Sequence, residues 1–531
     1  MTPEELLCAT PQPVGPGATS TGRRRLSVFR VVAAIGVLVV VVAGLVLVVR
    51  GGTTPAAAAG THGFAPYVDV TATPTYAFEG AGESGPTDAI LAFVVSSERD
   101  ACDPSWGGAY SLDEAAEQLD LDRRVARLGQ LGRRVTVSFG GAANSELAIA
   151  CTDVDDLAAA YESVVDRYSI DTIDLDIEGA EASAPDVVQR RARAVAAVVA
   201  ARRAAGRHLD VWLTLPVATT GLTAEGLEIL RATLDGGVDP AGVNAMVMDY
   251  GVPFEPGATM GDRAESALTA MQTQLRDTYA AAGRSLSEDQ AWQRVGATAM
   301  IGQNDVLGEV FDLDDAHQLL GFARSRHLRQ LSMWSANRDQ DCGPNYPDVT
   351  VVSDQCSGVA QTAGGFADVL DRFGRGGSRS DPAAPSTTAP VTASPASASA
   401  DAEETDDPAR SPYQIWSADQ AYPAKTKVVW HRNVYVAKWY SMGELPDAPV
   451  ADAHLTPWSL VGPVLPGEHP PVTPTLAPGT YPRWRADRIY EGGEKVLRRG
   501  IGYRAKWWTQ GDPPDAAVSS PYDSPWLQLS G

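Results

Sequence analysis

The sequence predicts an α/β fold: an eight-stranded (β/α)8 barrel of the TIM type, followed by two small all-β modules. Two observations carry this. Eight short β-rich apolar runs alternate with helix-forming stretches between residues 63 and 373. A pattern of aromatic residues then occurs twice in the last part of the chain. An open doubly wound sheet is the alternative for the first part.

The barrel strands are expected at "APYVDVTA" (65–72), "AILAFVVS" (89–96), "RVTVSFGG" (134–141), "TIDLDIEG" (172–179), "DVWLTLPV" (210–217), "VNAMVMDYG" (243–251), "GATAMIG" (296–302) and "LSMWSANRD" (331–339). Between them lie segments such as "VVQRRARAVAAVVAARRAAG" (187–206), which has an amphipathic helical pattern. "FDLDDA" (311–316) is read as a helix cap and "QND" (303–305) as a strand-top segment that lines the cleft or merely follows the strand.

The N-terminal part is of a different kind. Residues 29–49 carry Arg30 as their sole charge, and 31–49 is long enough to cross a bilayer as a helix. Arg23, Arg24, Arg25 and Arg30 precede it, so the expectation is a cytoplasmic tail (1–28), one membrane anchor (29–49) and an exterior remainder. A cleaved signal peptide is the alternative, since "TPAAAAGT" (54–61) holds an A-x-A site; the chain would then be secreted. The cysteines agree with export. Cys8 lies on the cytoplasmic side, while Cys102, Cys151, Cys342 and Cys356 form an even set outside. Of their three pairings, Cys102–Cys151 and Cys342–Cys356 are favoured.

Residues 374–412 are rich in Pro, Ala, Ser and Thr and read as a flexible linker. Ten residues between Trp416 and Trp458 recur 68 positions later, between Trp484 and Trp526. This defines modules at 413–462 and 481–531, joined by 463–480. Within them "AKWY" and "AKWW" set Trp439 beside Tyr440 and Trp507 beside Trp508. On a strand, neighbours point to opposite faces, and a core this thin does not bury both. At least one aromatic of each pair is therefore expected to be exposed, where it would stack on a sugar ring or mark an interface.

The net charge of −23 comes without basic blocks, which argues against nucleic acid as the main partner. The seven His form no metal-binding pattern, so neither a metal nor a cofactor is expected. The informative stretch is "IDTIDLDIEGA" (170–180). Alternation on a strand aligns Asp174, Asp176 and Glu178 on one face. Three stacked carboxylates repel, and burial disfavours each charged form. Such a ladder drives pKa values apart and leaves a carboxylic acid, Glu178, poised to donate a proton.

The pattern Asp171, Asp174, Asp176, Glu178 resembles the D-x-x-D-x-D-x-E signature of glycoside hydrolase family 18, the chitinase family. "SFGG" (138–141), "MVMDYG" (246–251) and "SMWSANRD" (332–339) resemble that family's third-, sixth- and eighth-strand motifs. The two modules are similar to chitin-binding modules of the 5/12 type, through "AKWWTQG" (505–511). The resemblance implies a hydrolase of β-1,4-linked N-acetylglucosamine, with chitin as partner and a substrate-assisted retaining mechanism; a monomer is expected. It implies Glu178 as acid and later base, Asp176 and Asp174 as its supporting carboxyls, and Tyr250 on the acetamido group. Trp334, Met248 and Asp171 would contact the sugar, and Trp439, Tyr440, Trp507 and Trp508 the polymer. Thr172, Ile177 and Gly251 depart from the family pattern and bear on subsite shape. A non-catalytic lectin and an endo-β-N-acetylglucosaminidase are the alternatives.

Overall fold

The computed structural model describes residues 63–80, 88–374, 406–450, 455–470, 475–516 and 524–529. The 29–49 segment, Cys8, the A-x-A site and most of the 374–412 linker lie outside them. Among the described residues no helix is long and apolar enough to cross a membrane.

The core of the first domain is a parallel sheet that closes on itself. In chain order its strands are β1 (Gly63–Phe64), β2 (Tyr67–Asp69), β3 (Ala89–Ser96), β4 (Val135–Gly140), β5 (Thr172–Asp176), β6 (Asp210–Ala218), β7 (Gly242–Met246), β8 (Val295–Met300) and β9 (Gln330–Trp334). β2 pairs with β3, and each later strand pairs with the next. Closure comes from β1 and β2, which together fill the first strand position. β1 pairs with β9, while Ile90 N–H reaches back to Pro66 O at 3.0 Å. The result is a mixed α/β fold with a TIM-barrel-like centre, not an open sheet.

Helices cover the outside of this sheet. The chain forms α1 (Leu121–Gln130), α2 (Val154–Arg167), α3 (Pro185–Ala204), α4 (Ala224–Asp235), α5 (Met260–Ala281) and α6 (Leu313–Arg326). Their ends follow local rules. Asp153 accepts the N–H groups of Asp155 and Asp156 at the start of α2, and Pro185 opens α3 where its missing N–H costs nothing. Asp312 and Asp315 form a capping box on α6, the role expected for "FDLDDA". Alternation along β5 sends Ile173 and Leu175 into the apolar layer under the helices and leaves Asp174 and Asp176 for the barrel interior. Disulfides join Cys102 to Cys151 and Cys342 to Cys356, as the sequence favours.

Each C-terminal module has a three-stranded antiparallel sheet. The first has β10 (Lys427–Trp430), β11 (Asn433–Ala437) and β12 (Trp458–Pro463); the second has β13 (Lys495–Arg498), β14 (Ile501–Ala505) and β15 (Trp526–Gln528). The repeated aromatics divide into two sets. Tyr422, Tyr435 and Trp458 form one small core, and Tyr490, Tyr503 and Trp526 the other. Trp439, Tyr440, Trp507 and Trp508 are all exposed, at 45%, 59%, 47% and 56%. The alternation argument needs correcting here. β11 and β14 end at Ala437 and Ala505, so both aromatics of each pair lie beyond the strand, and neither is turned into the core.

Candidate active site

The acid ladder sits at the carboxyl end of β5, where barrel folds gather their chemistry. Asp174 is the deepest member. Its carboxylate accepts from Tyr67 Oη at 2.8 Å, Ser138 Oγ at 2.7 Å and Thr214 Oγ1 at 2.6 Å. Ser138 and Thr214 come from the strands paired with β5 on either side, and ring closure brings Tyr67 of β2 to complete the cage. Asn244 on β7 extends the network, with Nδ2 3.0 Å from Thr214 Oγ1 and 2.6 Å from Thr298 Oγ1. Burial raises the pKa of Asp174, and the three hydroxyls oppose that rise.

Asp176 lies one pleat higher and is 5% exposed. Its Oδ1 is buried without a hydrogen-bond partner among the described residues. Burial, then the charges of Glu178, Asp174 and Glu146, hold its carboxyl well above the ordinary range. Glu146 is itself paired with the buried Arg191. The backbone around Asp176 is crowded too. Gly141 N–H donates to Asp176 O at 3.0 Å, and a Cβ on Gly140 would stand 2.1 Å from that oxygen. Gly140 thus permits the close approach of β4 to the ladder, Gly141 leaves room for the Phe93 ring, and Ser138 of the same motif holds Asp174.

Glu178 follows the strand and is half-buried. Burial, then Asp249 and Asp305, pushes its pKa up to about 7. Asp249 follows β7 and Asp305 follows β8, and of "QND" it is Asp305 whose charge acts on Glu178, while Asn304 is buried against the backbone of Met300 and Gly302. These two loops are tied together. Glu309 accepts the N–H groups of Tyr250 at 2.9 Å and Gly251 at 3.0 Å, and pairs with Arg263 at 2.8 Å. Asp249 accepts Val306 N–H at 2.9 Å. Tyr250 is thereby fixed through its backbone, while its hydroxyl is buried with no partner among the described residues. Trp334, at the end of β9, stacks on Phe93 with centroids 5.2 Å apart and meets Tyr67 edge-on at 6.1 Å. Met248 is buried beside Asp249 in the chain.

Asp171 is not part of this cluster. It precedes β5 at the amino end, is exposed, and accepts from Thr172 Oγ1. Seven residues of extended chain place it on the order of 20 Å from Glu178, and the odd spacing turns it to the other face. Its place as a sugar contact is therefore corrected. Sequence reasoning missed Tyr67, Thr214, Asn244, Glu309 and Arg263. A signal for Thr214 and Asn244 was present: each is a lone polar residue in an apolar strand, and a buried polar group needs a partner.

No family model matches the chain. It is 35% identical over 299 residues to a protein of Escherichia coli (strain K12) named "Probable bifunctional chitinase/lysozyme", which covers 55% of this chain and 32% of that protein. It is 34% identical over 293 residues to "Endochitinase 11" of Metarhizium anisopliae, covering 54% of each. The chain thus spans 32% and 54% of the length of these two relatives. Among solved structures, the catalytic domain of a hyperthermophilic chitinase from Pyrococcus furiosus matches with a TM-score of 0.51 and 27% identity, over 60% of this chain and 97% of that one. The barrel domain described above is chitinase-like in both sequence and fold.

Proposed function

We propose that the chain is a chitinase, cleaving β-1,4-linked N-acetylglucosamine with retention, the substrate's own acetamido group acting as nucleophile. The observation that carries this is a complementary pair of orphaned polar atoms. Among the described residues Asp176 Oδ1 lacks a donor and Tyr250 Oη lacks a partner, both in the interior of the site. An acetamido group offers one N–H and one C=O, which would satisfy both.

In this reading Glu178, protonated up to about pH 7, gives its proton to the glycosidic oxygen as the C1–O bond breaks. The acetamido oxygen bonds to C1 and forms an oxazolinium ion. Asp176 accepts the acetamido N–H and stabilises the positive charge, Asp174 supports Asp176 from below, and Tyr250 aligns the acetamido oxygen. Glu178, now ionised, takes a proton from the water that attacks C1 as the C1–O bond to the acetamido oxygen breaks, which restores the acetamido group and releases the β-anomer. Trp334 forms the floor under the sugar, with Met248 beside it. Trp439, Tyr440, Trp507 and Trp508 stack on the polymer, their exposure supporting that role. The enzyme works as a monomer outside the cell, secreted or held by the 29–49 segment. The E. coli relative, named a probable bifunctional chitinase/lysozyme, adds a lysozyme assay to the tests of this chain.

The test is product stereochemistry. Proton NMR of a chito-oligosaccharide digest should show the β-anomer first, and an unacetylated glucosamine oligomer should stay intact. Early α-anomer, or cleavage of the unacetylated oligomer, would remove the substrate-assisted mechanism.

A further inference from the structure

We infer that the two C-terminal modules are unequal: the first is docked on helix α1 of the barrel as part of the catalytic body, and the second grips independently. The inference rests on the chitinase reading only where it concerns what the docking is for.

The contact is built from charge, ring stacking and a glycine. Arg123 on α1 is 5% exposed. Its guanidinium donates to both oxygens of Glu468, at 2.5 and 3.1 Å, and to Pro463 O at 2.6 Å. This two-pronged fit is the geometry that makes arginine–carboxylate pairs directional. Asp120, which precedes α1, accepts from Lys427 Nζ at 2.7 Å. Lys427 and Arg123 both lie against the Tyr413 ring, 5.4 and 5.9 Å from its centroid. At Gly462, with φ +153°, a Cβ would stand 2.6 Å from Arg123 O, so this backbone approach needs a glycine.

The second module shows the difference. Its Lys495 sits over Tyr481 at 5.3 Å, the same cation–ring pair. Among the described residues Lys495 has no acidic partner. Asp120 and Arg123 are already engaged, so α1 has no second set of contacts to give.

Docking also leaves the aromatic pair of module 1 uncovered, with Trp439 45% and Tyr440 59% exposed. The contact runs along the sheet, since Pro463 lies opposite Asn433 and Lys427 opposite Val436. Trp439 and Tyr440 follow Ala437. The first aromatic pair is thus held at a constant offset from the barrel. It guides the polymer relative to the cleft, while the second pair adds avidity.

The experiment uses the full-length chain in detergent with Arg123→Glu, Glu468→Arg and the double swap. Hydrogen exchange is read in α1, in β12 and, as a control for global folding, in β5. Each single variant should speed exchange in α1 and β12 by about tenfold or more, with β5 unchanged and the swap restoring protection. Wild-type exchange in both single variants overturns the docking. If a single variant loses protection in β5 as well, Lys427→Met provides a milder break judged by the same criterion. Undocked variants should cleave soluble chito-oligosaccharides as wild type does but lose about threefold or more on solid chitin. Unchanged rates on the solid, despite undocking, overturn the guiding role. A wild type that cleaves neither substrate defeats the chitinase reading and leaves the exchange result standing.

Discussion

Replacing Glu178 with Gln should stabilise the folded barrel at alkaline pH while removing its acid. Burial, then Asp249 and Asp305, raises this carboxyl from 4.5 to about 7. Each pKa unit is worth about 1.4 kcal/mol, so ionising Glu178 costs the native state about 3 kcal/mol. The residue is half-buried beside an open cleft, and solvent screening lowers that to about 2 kcal/mol. The sign follows from linkage. The folded value lies above the unfolded one, so the contribution is fully present below pH 4.5 and lost as pH rises through 7. Asp176 acts in the same direction, because the Glu178 charge is one of the causes that raise it. Urea unfolding followed by tryptophan fluorescence should give matching barrel midpoints for wild type and Glu178→Gln at about pH 4. At about pH 8.5 the variant should be the more stable by about 2 kcal/mol. A wild type equally or more stable than the variant at the higher pH would refute the reasoning.

Other parts of the site give separate expectations. Glu309→Gln leaves Arg263 buried without its charge partner and should cost about 3–5 kcal/mol in thermal unfolding; a change below 1 kcal/mol would argue against the brace on Tyr250. Thr214→Val takes a hydroxyl from Asp174 and one acceptor from Asn244, for a loss of about 1–3 kcal/mol and a fall in kcat larger than the change in KM. Wild-type kcat in that variant would show that the cage does not matter to turnover. Ala at Trp507 and Trp508 together should weaken adsorption to solid chitin by about tenfold or more while leaving the unfolding midpoint unchanged, because both rings are exposed. Unaltered adsorption would assign binding elsewhere.

The strands of the barrel were legible because each is a short apolar run between helical stretches, and the ladder because its period of two is that of a strand. Glu178 could be singled out by its place at the top of the expected strand, just before Gly179. The cage around Asp174 was harder to see. Thr214 lies 40 residues from Asp174 and meets it through the pairing of β5 with β6, whereas Tyr67 lies 107 residues away and reaches it only because the ring closes. Asp171 misled because it shares the motif's spacing without sharing the strand's end or face. The paired aromatics misled differently: local alternation applies only while the strand continues, and β11 and β14 stop at alanine. Docking of the first module was not legible either, since Arg123 and Glu468 are 345 residues apart and each alone resembles an ordinary surface charge.

The most direct measurement is sugar release from colloidal chitin by wild type and by Glu178→Gln, at matched adsorption. The account predicts turnover by the wild type, and its collapse in the variant with adsorption retained. Equal turnover by the two proteins would contradict it by removing Glu178 as the acid, and adsorption without turnover in either would leave a lectin.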